Sequence, residues 1–418
     1  KKVPALRFRG FDNAWEQRKL GDSLSFLKDG THGTHADSID GPLLLSAKNI
    51  KNGSVNWDET DRRISQDEYD KIHSNFNLEN GDILLTIVGS IGETAILKDS
   101  SGLTFQRSVA FLRPKEEVTS EFLYTEIQIP AFQKELESRK STSAQPGIYL
   151  GDLSEIPVVI SKSKDEQRKI GSYFANLDNL IILHQRKLEM LKKVKKSMLE
   201  KMFPKNDAKV PELRFSDFTD AWEQKELGEL FSYLQNNTLS RAELNDNYGV
   251  AQSIHYGDVL IKYGECLDVS KERLAFIEKQ SIADKFKTAY LQDGDIIVAD
   301  TAEDGTVGKC TEIQDLTDKK IISGLHTIPL RPDQKFASGY LGFYMNSNSY
   351  HDQLKPLMQG IKVTSISKSA IQNTVVRYPF SLKEQGLVSR YLCLLNTLIS
   401  LHQRKLEKLK NIKKSMLE

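Results

Sequence analysis

The chain has 418 residues, more than one ordinary hydrophobic core organises, so its length predicts roughly two to four domains. It contains no apolar run near the ~18 residues of a membrane span, which argues against a membrane protein and favours a cytoplasmic one. The 58 basic and 57 acidic residues give a net charge of +1, which neither requires nor excludes nucleic acid. Three cysteines, Cys266, Cys310 and Cys393, lack the spacing of a metal site.

The opening segment of the chain is used twice. Residues 3–21, VPALRFRGFDNAWEQRKLG, recur at residues 210–228 as VPELRFSDFTDAWEQKELG, and twelve of these nineteen positions are identical. Self-similarity at a fixed offset is the mark of an internal duplication. We therefore expect two copies of one structural plan.

A first body of short strands follows, within a predicted domain of residues 1–162. Short apolar runs bounded by Gly, Asn, Asp and Pro are typical of strands, here in a curved sheet. The runs are residues 43–45, 82–88, 108–112 and 156–160. A helix is predicted over residues 121–140, broken or restarted near Pro130. The body is thus expected to be a mixed α/β domain.

Loops of the first body carry side chains suited to a DNA groove. The candidates are Thr31, His32, Thr34 and His35 in one loop, Arg139, Lys140, Ser141 and Gln145 in another, and Lys48 and Arg107 elsewhere. Arginine and lysine can pair with guanine, glutamine with adenine, and hydroxyls with phosphate. For residues 29–35 a merely structural loop is an alternative. A His-x-x-His metal site is a weaker one, because no further ligand cluster accompanies it.

A long helix closes the first copy. Ser163 and Glu166 form the Ser-x-x-Glu pattern that caps a helix N-terminus, and apolar residues then recur every three or four positions. No glycine or proline interrupts residues 172–203, so a helix of roughly 57 Å is expected over about residues 164–202. Pro204 ends it. We assign residues 163–204 to this first spacer helix.

The second copy begins with a predicted domain of residues 205–380. Its apolar runs favour strands at residues 258–261, 295–299 and 374–378, and a helix near residues 339–358. The bodies share the landmarks Gly-Asp-Ile (residues 81–83 and 294–296) and Leu-Arg-Pro (112–114 and 330–332) but otherwise scarcely align. DNA-contact candidates here are Asn236, Asn237, Ser240, Arg241, Lys262, Gln359, Lys362 and Thr364. The ends of the two copies are alike, whereas the bodies between them differ. This pattern indicates that the two bodies have related but different functions.

A second spacer helix, residues 381–418, repeats the first. Eighteen of the twenty-four positions of residues 177–200 are identical in residues 395–418. So long an apolar stripe would be too exposed on a lone helix, so the two helices are expected to pair antiparallel, like a coiled coil, with a pseudo-twofold axis relating the bodies. The predicted interface comprises Leu177, Ile181, His184, Leu188, Leu191, Leu395, Ile399, His402, Leu406 and Leu409.

Two features of these helices allow more than one interpretation. His184 and His402 lie on the stripes near the helix centres, and we expect them to approach each other. Packing and hydrogen bonds that set the helix register are their simplest role, and a metal or pH role is the alternative.

Lysines, for example Lys192 and Lys410, are frequent on the outer faces of both helices. Such a run of lysines favours a solvated surface or a docking site for a protein partner over contact with phosphate.

The sequence lacks the usual catalytic signatures. It has no Gly-x-x-x-x-Gly-Lys-Ser/Thr phosphate loop, no Asn/Asp-Pro-Pro-aromatic motif of amino-methyltransferases, and no glycine-rich turn like a methyl-donor site. Triplets of nuclease type, at residues 223–225 and 333–335, lack an apolar strand with an upstream acid. We therefore expect a chain that recognises rather than catalyses and that holds no cofactor or metal of its own.

In this order, the segments resemble the specificity subunit of type I restriction-modification enzymes across essentially the whole chain. The resemblance is carried by the two openings, by Asp165-Glu166-Gln167-Arg168 and Lys383-Glu384-Gln385-Gly386, and by the duplicated HQRKLE helices. It implies two target-recognition domains, each reading half of an asymmetric, bipartite site in double-stranded DNA. It also implies two methyltransferase subunits and motor-nuclease subunits as partners, in which S-adenosylmethionine, ATP and Mg²⁺ are expected.

Three other functions stay open on the sequence alone. A fused nuclease or methyltransferase would show metal-dependent or S-adenosylmethionine-dependent activity in the isolated chain. A stand-alone tandem DNA-binding protein or repressor would bind its site tightly without methyltransferase subunits. A protein scaffold would give no base-specific protection of DNA.

Overall fold

The computed structural model of the protein describes residues 4–141, 146–205 and 208–418. Contacts divide the chain into two compact units. The first unit consists of Lys1–Lys187 with His402–Glu418, and the second of Leu188–Leu401. The domain boundaries predicted from the sequence followed the helix ends, whereas this division passes through both long helices. Each unit therefore contains one body and a part of each helix.

The first unit is built on an antiparallel sheet in the order β2-β9-β6-β7. Its strands are β1 (Glu16–Lys19), β2 (Leu24–Asp29), β3 (Leu43–Leu45), β4 (Ile50–Lys51), β5 (Ser54–Val55), β6 (Ile83–Thr86), β7 (Thr94–Ile96), β8 (Leu103–Phe105), β9 (Val109–Pro114) and β10 (Pro157–Ile160). Its helices are α1 (Gln66–Ile72), α2 (Ser120–Glu126), α3 (Pro130–Ser138), α4 (Leu150–Ser154) and the start of α5 (Lys164–Lys201). Strands also pair as β1-β10, β3-β8 and β4-β5.

The second unit is built on a larger sheet in the order β12-β20-β16-β18-β14. Its strands are β11 (Glu223–Glu226), β12 (Phe231–Tyr233), β13 (Ala251–Ile254), β14 (Cys266–Asp268), β15 (Ala275–Ile277), β16 (Ile296–Ala299), β17 (Thr301–Ala302), β18 (Cys310–Gln314), β19 (Ile321–Ser323), β20 (Thr327–Pro332), β21 (Thr364–Ser365) and β22 (Val375–Tyr378). Its helices are α6 (Leu227–Leu230), α7 (Tyr256–Ile261), α8 (Gln280–Ala283), α9 (Tyr340–Met345), α10 (Asn348–Leu354), α11 (Lys368–Ile371) and most of α12 (Leu382–Leu417). Strands also pair as β15-β13-β19, β11-β22 and β17-β21.

Both bodies mix helices and strands, as the sequence predicted, with one error. The helix expected over residues 121–140 is the pair α2 and α3, and Pro130 is the first residue of α3. Residues 258–261, however, were wrongly predicted as a strand and lie in α7. His255 caps this helix, because its Nδ1 accepts a hydrogen bond from the Gly257 N–H at 3.2 Å. The apolar run is one amphipathic helical turn, with Val259 buried and Ile261 89% exposed, and so short a run does not distinguish helix from strand.

The long helices begin where the sequence predicted. The backbone N–H of Glu166 donates to Ser163 Oγ at 3.3 Å, and that of Glu384 donates to Ser381 Oγ at 3.4 Å. These side chains satisfy amide groups that have no partner within the helix. The observed end of α5 is Lys201, one residue before the predicted end.

Within the first unit, α5 and the last part of α12 lie side by side and run antiparallel. Asp178 Oδ1 accepts a hydrogen bond from Lys413 Nζ at 2.6 Å, and His184 Nδ1 lies 2.9 Å from His402 Nδ1. Residue numbers therefore rise along one helix as they fall along the other. The ring centroids of the two histidines are 5.0 Å apart.

The landmark tripeptides that the two bodies share contribute a salt bridge to the main sheet of each unit. Asp82, 1% exposed, accepts hydrogen bonds from Arg113 Nε at 2.7 Å and Nη2 at 2.9 Å. In the second unit Asp295, also 1% exposed, accepts from Arg331 Nε at 2.9 Å and Nη2 at 2.7 Å. Removing one member would leave a buried charge without a partner, so the recurrence of both tripeptides has a structural cause.

Candidate nucleic-acid interface

Glu166 is the centre of a network at the start of α5. Its carboxylate accepts hydrogen bonds from Arg7 Nη2 at 2.9 Å, Trp15 Nε1 at 3.0 Å and Ser161 Oγ at 2.6 Å. Burial by itself would raise the pKa of Glu166, but the hydrogen bonds from Arg7 and Ser161 outweigh it and lower that pKa overall. The charged carboxylate thus holds the opening segment against the helix start.

The same network occurs in the second unit. Glu384 accepts from Arg214 Nε at 2.7 Å and Nη2 at 2.9 Å, and from Trp222 Nε1 at 3.2 Å. The neighbouring Gln385 donates to Pro379 O at 2.8 Å. We call these two networks, centred on Glu166 and Glu384, the helix-start networks. They account for the repeated openings and the repeated Glu-Gln pairs, which are far apart in sequence.

One end of the main sheet of the first unit brings several candidate loops together. The Arg107 N–H donates to Thr31 O at 3.0 Å, and the Ile87 N–H donates to Ser108 O at 2.9 Å. The Ile148 N–H in turn donates to Ile87 O at 3.0 Å. We call these five residues and the loops that carry them the first sheet-end surface. Backbone hydrogen bonds therefore place the two predicted contact loops at one sheet end.

The histidine loop on this surface is partly fixed by its own hydrogen bonds. His35 Nε2 lies 2.7 Å from Thr31 Oγ1, and its Nδ1 lies 2.7 Å from Glu68 Oε2. The His35 side chain is only 13% exposed, so its position is structural. His32, with 65% of its side chain exposed, and Thr34 are accessible. The loop combines the structural role with a surface open to a ligand.

Lys48 and Arg107 lie close to this loop. The Ala47 N–H donates to Ser108 Oγ at 3.0 Å, which places Lys48 beside the sheet end. Lys48 Nζ lies 2.7 Å from Asp61, and hydrogen bonds from Asn49 and Lys48 lower the pKa of Asp61 to about 2. Arg107 is exposed, and within the described ranges no ion pair involves it. Arg107 is therefore the cation of this surface best placed to meet a phosphate or a guanine.

The second predicted loop of the first unit is described only in part. Arg139 and Lys140 each form an ion pair with a glutamate of α3. The Ser141 N–H donates to Gly147 O at 2.9 Å, which fixes the two ends of the loop. Gln145, predicted to contact DNA, lies outside the described residues, as do its three predecessors, residues 142–144.

The second unit has the same backbone framework with different side chains. The Asp300 N–H donates to His326 O at 3.1 Å, and the Ile366 N–H donates to Asp300 O at 2.8 Å. Asp300 thus stands where the first unit has Ile87, and His326 where it has Ser108. We call Asp300, His326, Ile366 and the loops that carry them the second sheet-end surface. The scaffold is shared, whereas the groups it presents differ in charge and size.

His326 is a candidate that the sequence interpretation missed. Its backbone is left-handed, with φ of 55°, a conformation uncommon outside glycine and often found at functional sites. Its ring lies edge-on to Tyr256, with centroids 5.3 Å apart, and Nδ1 lies 3.4 Å from Asp300 Oδ1. The shared Leu-Arg-Pro landmarks, 218 positions apart, align His326 with Ser108, but this alignment alone marks neither residue as a contact candidate.

The two asparagines predicted to contact DNA differ in burial and in their hydrogen-bond partners. Asn237 is 1% exposed, and its side-chain amide donates to Ser253 Oγ and to Ser323 O, both at 3.0 Å. With its donors occupied inside the unit, Asn237 is structural and not available to a base edge. Asn236 is half-buried and donates to Gly324 O at 3.2 Å, next to the second sheet-end surface.

The remaining polar candidates of this region are engaged within the unit. Ser240 Oγ donates to a glutamate three residues later and caps a short helical turn. Arg241 Nη1 lies 2.7 Å from Asp258, and Lys262 Nζ lies 3.2 Å from a glutamate. Arg241 and Lys262 are 53% and 42% exposed, so both pairs are at the surface, where such pairs are weak and readily exchanged.

The other predicted loop of the second unit is a short hairpin. The Gln359 N–H donates to Ser365 O at 2.9 Å, and the Ser365 N–H donates to Gln359 O at 2.8 Å. Thr364 and Ser365 form β21, which pairs with β17 beside Asp300. Gln359 and Lys362 are exposed and Thr364 is half-buried. The hairpin therefore extends the second sheet-end surface.

Residues predicted for the helix interface differ in burial. Leu177 and Ile181 are 7% and 9% exposed in the first unit, and Leu188, Leu191 and Leu395 are 8%, 8% and 6% exposed in the second. Ile399 packs against the core of the second unit, and Leu406 and Leu409 are half-buried. His184 and His402 contact each other at 2.9 Å. The predicted apolar residues of α5 are therefore buried, whereas those of α12 are less buried beyond Leu395.

Two further observations concern ligands and membranes. In the described part of the chain, no group of three or more His, Cys, Asp or Glu side chains is arranged to hold a metal ion. None of the described helices combines the length and apolar character that a membrane crossing requires.

Comparison with known proteins gives a consistent result. Residues 15–193 and 219–411 each match the type I restriction modification DNA specificity domain. The chain is 26% identical over 192 residues to the type I restriction enzyme MjaVIII specificity subunit of Methanocaldococcus jannaschii. That match spans 44% of this chain and 44% of the relative, less than half of each.

Two other similarities extend over nearly the whole chain. The putative type I restriction enzyme MjaX specificity subunit of the same organism is 21% identical over 96% of this chain and 92% of its own length. The crystal structure of a type I restriction-modification system S subunit from M. genitalium covers 99% of this chain and 98% of its own, with a TM-score of 0.62 at 16% identity. At that identity the likeness shows a shared fold.

Proposed function

The chain belongs to the family defined by the type I restriction modification DNA specificity domain, and we propose that it is the DNA-recognition subunit of such a system. In this role each sheet-end surface reads one half of an asymmetric, bipartite DNA site. The chain itself carries out no chemistry.

One observation carries this proposal: both units build the same framework and present different groups on it. Ile87 and Ser108 in the first unit are replaced by Asp300 and His326 in the second, at matching backbone hydrogen bonds. A protein that reads two unlike half-sites needs a common way to orient the sheet and different side chains at its end. Arg107 and His326 are the side chains we assign first to base or phosphate contact, one in each unit.

The partners follow from the parts that are alike. The outer faces of both long helices recur in sequence, so they suit two copies of one partner. We propose that they dock two methyltransferase subunits, and that motor-nuclease subunits join the full complex. S-adenosylmethionine, ATP and Mg²⁺ would then be bound by those subunits.

The long helices would set the separation of the half-sites. We propose that they pair antiparallel along their length and relate the two bodies by a pseudo-twofold axis. Half-sites read on one face of the duplex would then lie about one DNA turn apart, roughly 34 to 36 Å.

The test is to sequence methylated DNA from cells that express this chain with a matching methyltransferase subunit, beside cells that lack this chain. A new split, asymmetric methylation motif is expected only when the chain is present. If a purified complex forms and no new motif arises, the recognition role is wrong, and specific binding by the isolated chain would then identify a stand-alone DNA-binding protein.

A second experiment tests the division of labour. Residues 23–160 are replaced with the corresponding body of another member of the family. The methylated motif should change in one half and keep the other. A change in both halves would contradict the modular account.

A further inference from the structure

A short hairpin on the second unit exposes two aliphatic side chains. Ile361 has an exposed fraction of 102%, the highest of any large apolar residue in the described part of the chain, and Val363 is 53% exposed. We call residues 359–365 the tip hairpin. Isolated apolar residues are common on protein surfaces, so exposure by itself does not define a site.

The tip hairpin is held in one shape. Two backbone hydrogen bonds join Gln359 and Ser365, and β21 ties the base of the hairpin to β17. Gly360 has a φ of +114°, and a Cβ there would lie 2.0 Å from Val363 O, so the turn requires glycine. The fold therefore holds Ile361 and Val363 in solvent, where they gain nothing from burial.

The tip carries a positive charge as well as its aliphatic side chains. Lys362 is exposed and lies between the two aliphatic residues. A cation between two apolar side chains suits a DNA groove, where phosphates flank the base edges.

We propose that the tip hairpin contacts thymine in the major groove, with Ile361 and Val363 packing on 5-methyl groups and Lys362 on a flanking phosphate. The thymine methyl is the apolar group that base pairs present in that groove, and aliphatic side chains recognise it by contact. The inference rests on the proposed function and adds to it the base that this unit selects.

The test uses the complex of the full chain with its methyltransferase subunit and a duplex that carries the methylation motif. Binding is measured by fluorescence anisotropy while each thymine of the half-site read by the second unit is replaced, one at a time, by deoxyuridine. Loss of one contacted methyl should weaken binding by the unaltered protein by about three- to fivefold. A variant with Ile361→Ser and Val363→Ser should bind the thymine and deoxyuridine duplexes equally.

Ile261→Ser is the matched control, because Ile261 is 89% exposed in the same unit but lies on α7. It should keep the preference for thymine. Equal binding of every thymine and deoxyuridine duplex by the unaltered protein, or a preference kept by the double variant, would refute the contact. So would a double variant that no longer assembles with the methyltransferase subunit, because the tip would then face a protein. No specific binding by the unaltered complex would instead overturn the proposed function.

Discussion

The helix-start networks and the sheet-end surfaces follow opposite rules. At the helix starts, Glu166 and Glu384 accept hydrogen bonds from the same two residue types, an arginine and a tryptophan. At the sheet ends, the backbone hydrogen bonds match while the side chains change. The duplication has therefore kept the groups that hold each unit together and varied the groups it presents, which separates the structural from the recognition parts of one sequence.

One lysine ion pair occurs in both units with an equivalent lysine but a different acid. Lys413 of the first unit pairs with Asp178 on the opposite helix, whereas Lys195 of the second unit pairs with Glu265 of the body, each at 2.6 Å. Asn396 stands at the position equivalent to Asp178 and donates to Glu265 at 3.0 Å. The lysine therefore occupies the equivalent position in both copies. The carboxylate that pairs with it lies on the opposite helix in the first unit and in the body in the second unit.

The largest effect is expected from breaking a helix-start network. Glu384→Ala leaves Arg214, 13% exposed, without its carboxylate, and should lower the stability of the second unit by about 3 to 5 kcal/mol. Glu166→Ala should act similarly on the first unit. Urea unfolding followed by circular dichroism measures both. The control Glu418→Ala removes an exposed pair with Lys414 and should change little, so equal losses in all three variants would contradict the comparison.

The lysine contacts should respond unequally. Glu265→Gln leaves Lys195 half-buried without a counter-charge and should cost about 2 kcal/mol. Asp178→Asn should cost less, about 1 kcal/mol, because Lys413 keeps its hydrogen bond to Gln128 at 2.7 Å. Calorimetric unfolding of the two variants compares them directly. A larger loss of stability for Asp178→Asn than for Glu265→Gln would show that the contact with the opposite helix stabilises its unit more than the contact with the body does.

Changes at the sheet ends should alter DNA reading and leave stability nearly unchanged. Arg107→Ala should weaken specific DNA binding by about tenfold and relax one half of the motif, and His326→Ala should relax the other half. Competition binding with single-base substitutions through the motif measures this. Asn237→Ala is the contrast, since its buried hydrogen bonds predict lost stability in place of altered specificity. If Arg107→Ala and His326→Ala both relaxed specificity in the same half of the motif, the assignment of one half to each unit would be wrong.

The smallest effect concerns the histidine pair in the first unit. Burial, together with the nearby His184, Lys405 and Lys187, lowers the pKa of His402 from its ordinary 6.5. A lowered pKa means that the unfolded chain binds the proton more readily, so stability is complete above about pH 6.5 and falls as pH falls through the folded pKa. The Tm should drop less between pH 7.5 and 5.5 in His402→Asn than in the unaltered protein. An identical pH dependence would show that the pair does not titrate with folding.

The sequence by itself determined the duplication, the two long helices and most strands. The Ser-x-x-Glu caps and the three-and-four spacing of apolar residues lie within a few turns of each other, so they needed no tertiary information. The same is not true of residues 258–261, where an apolar run of four fits a strand or a helical turn. There the cap from His255 and the burial of Val259 decided for a helix.

Which polar residues could meet a ligand was decided by the tertiary structure. Asn236 and Asn237 are neighbours of one type, yet only Asn237 is buried among partners from β13 and β19. His326 became a candidate because hydrogen bonds between distant strands set it beside Asp300. Sequence periodicity determines what a segment can form, because that depends on neighbours along the chain. Exposure depends on which segments pack against it, and those contacts join residues tens to hundreds of positions apart.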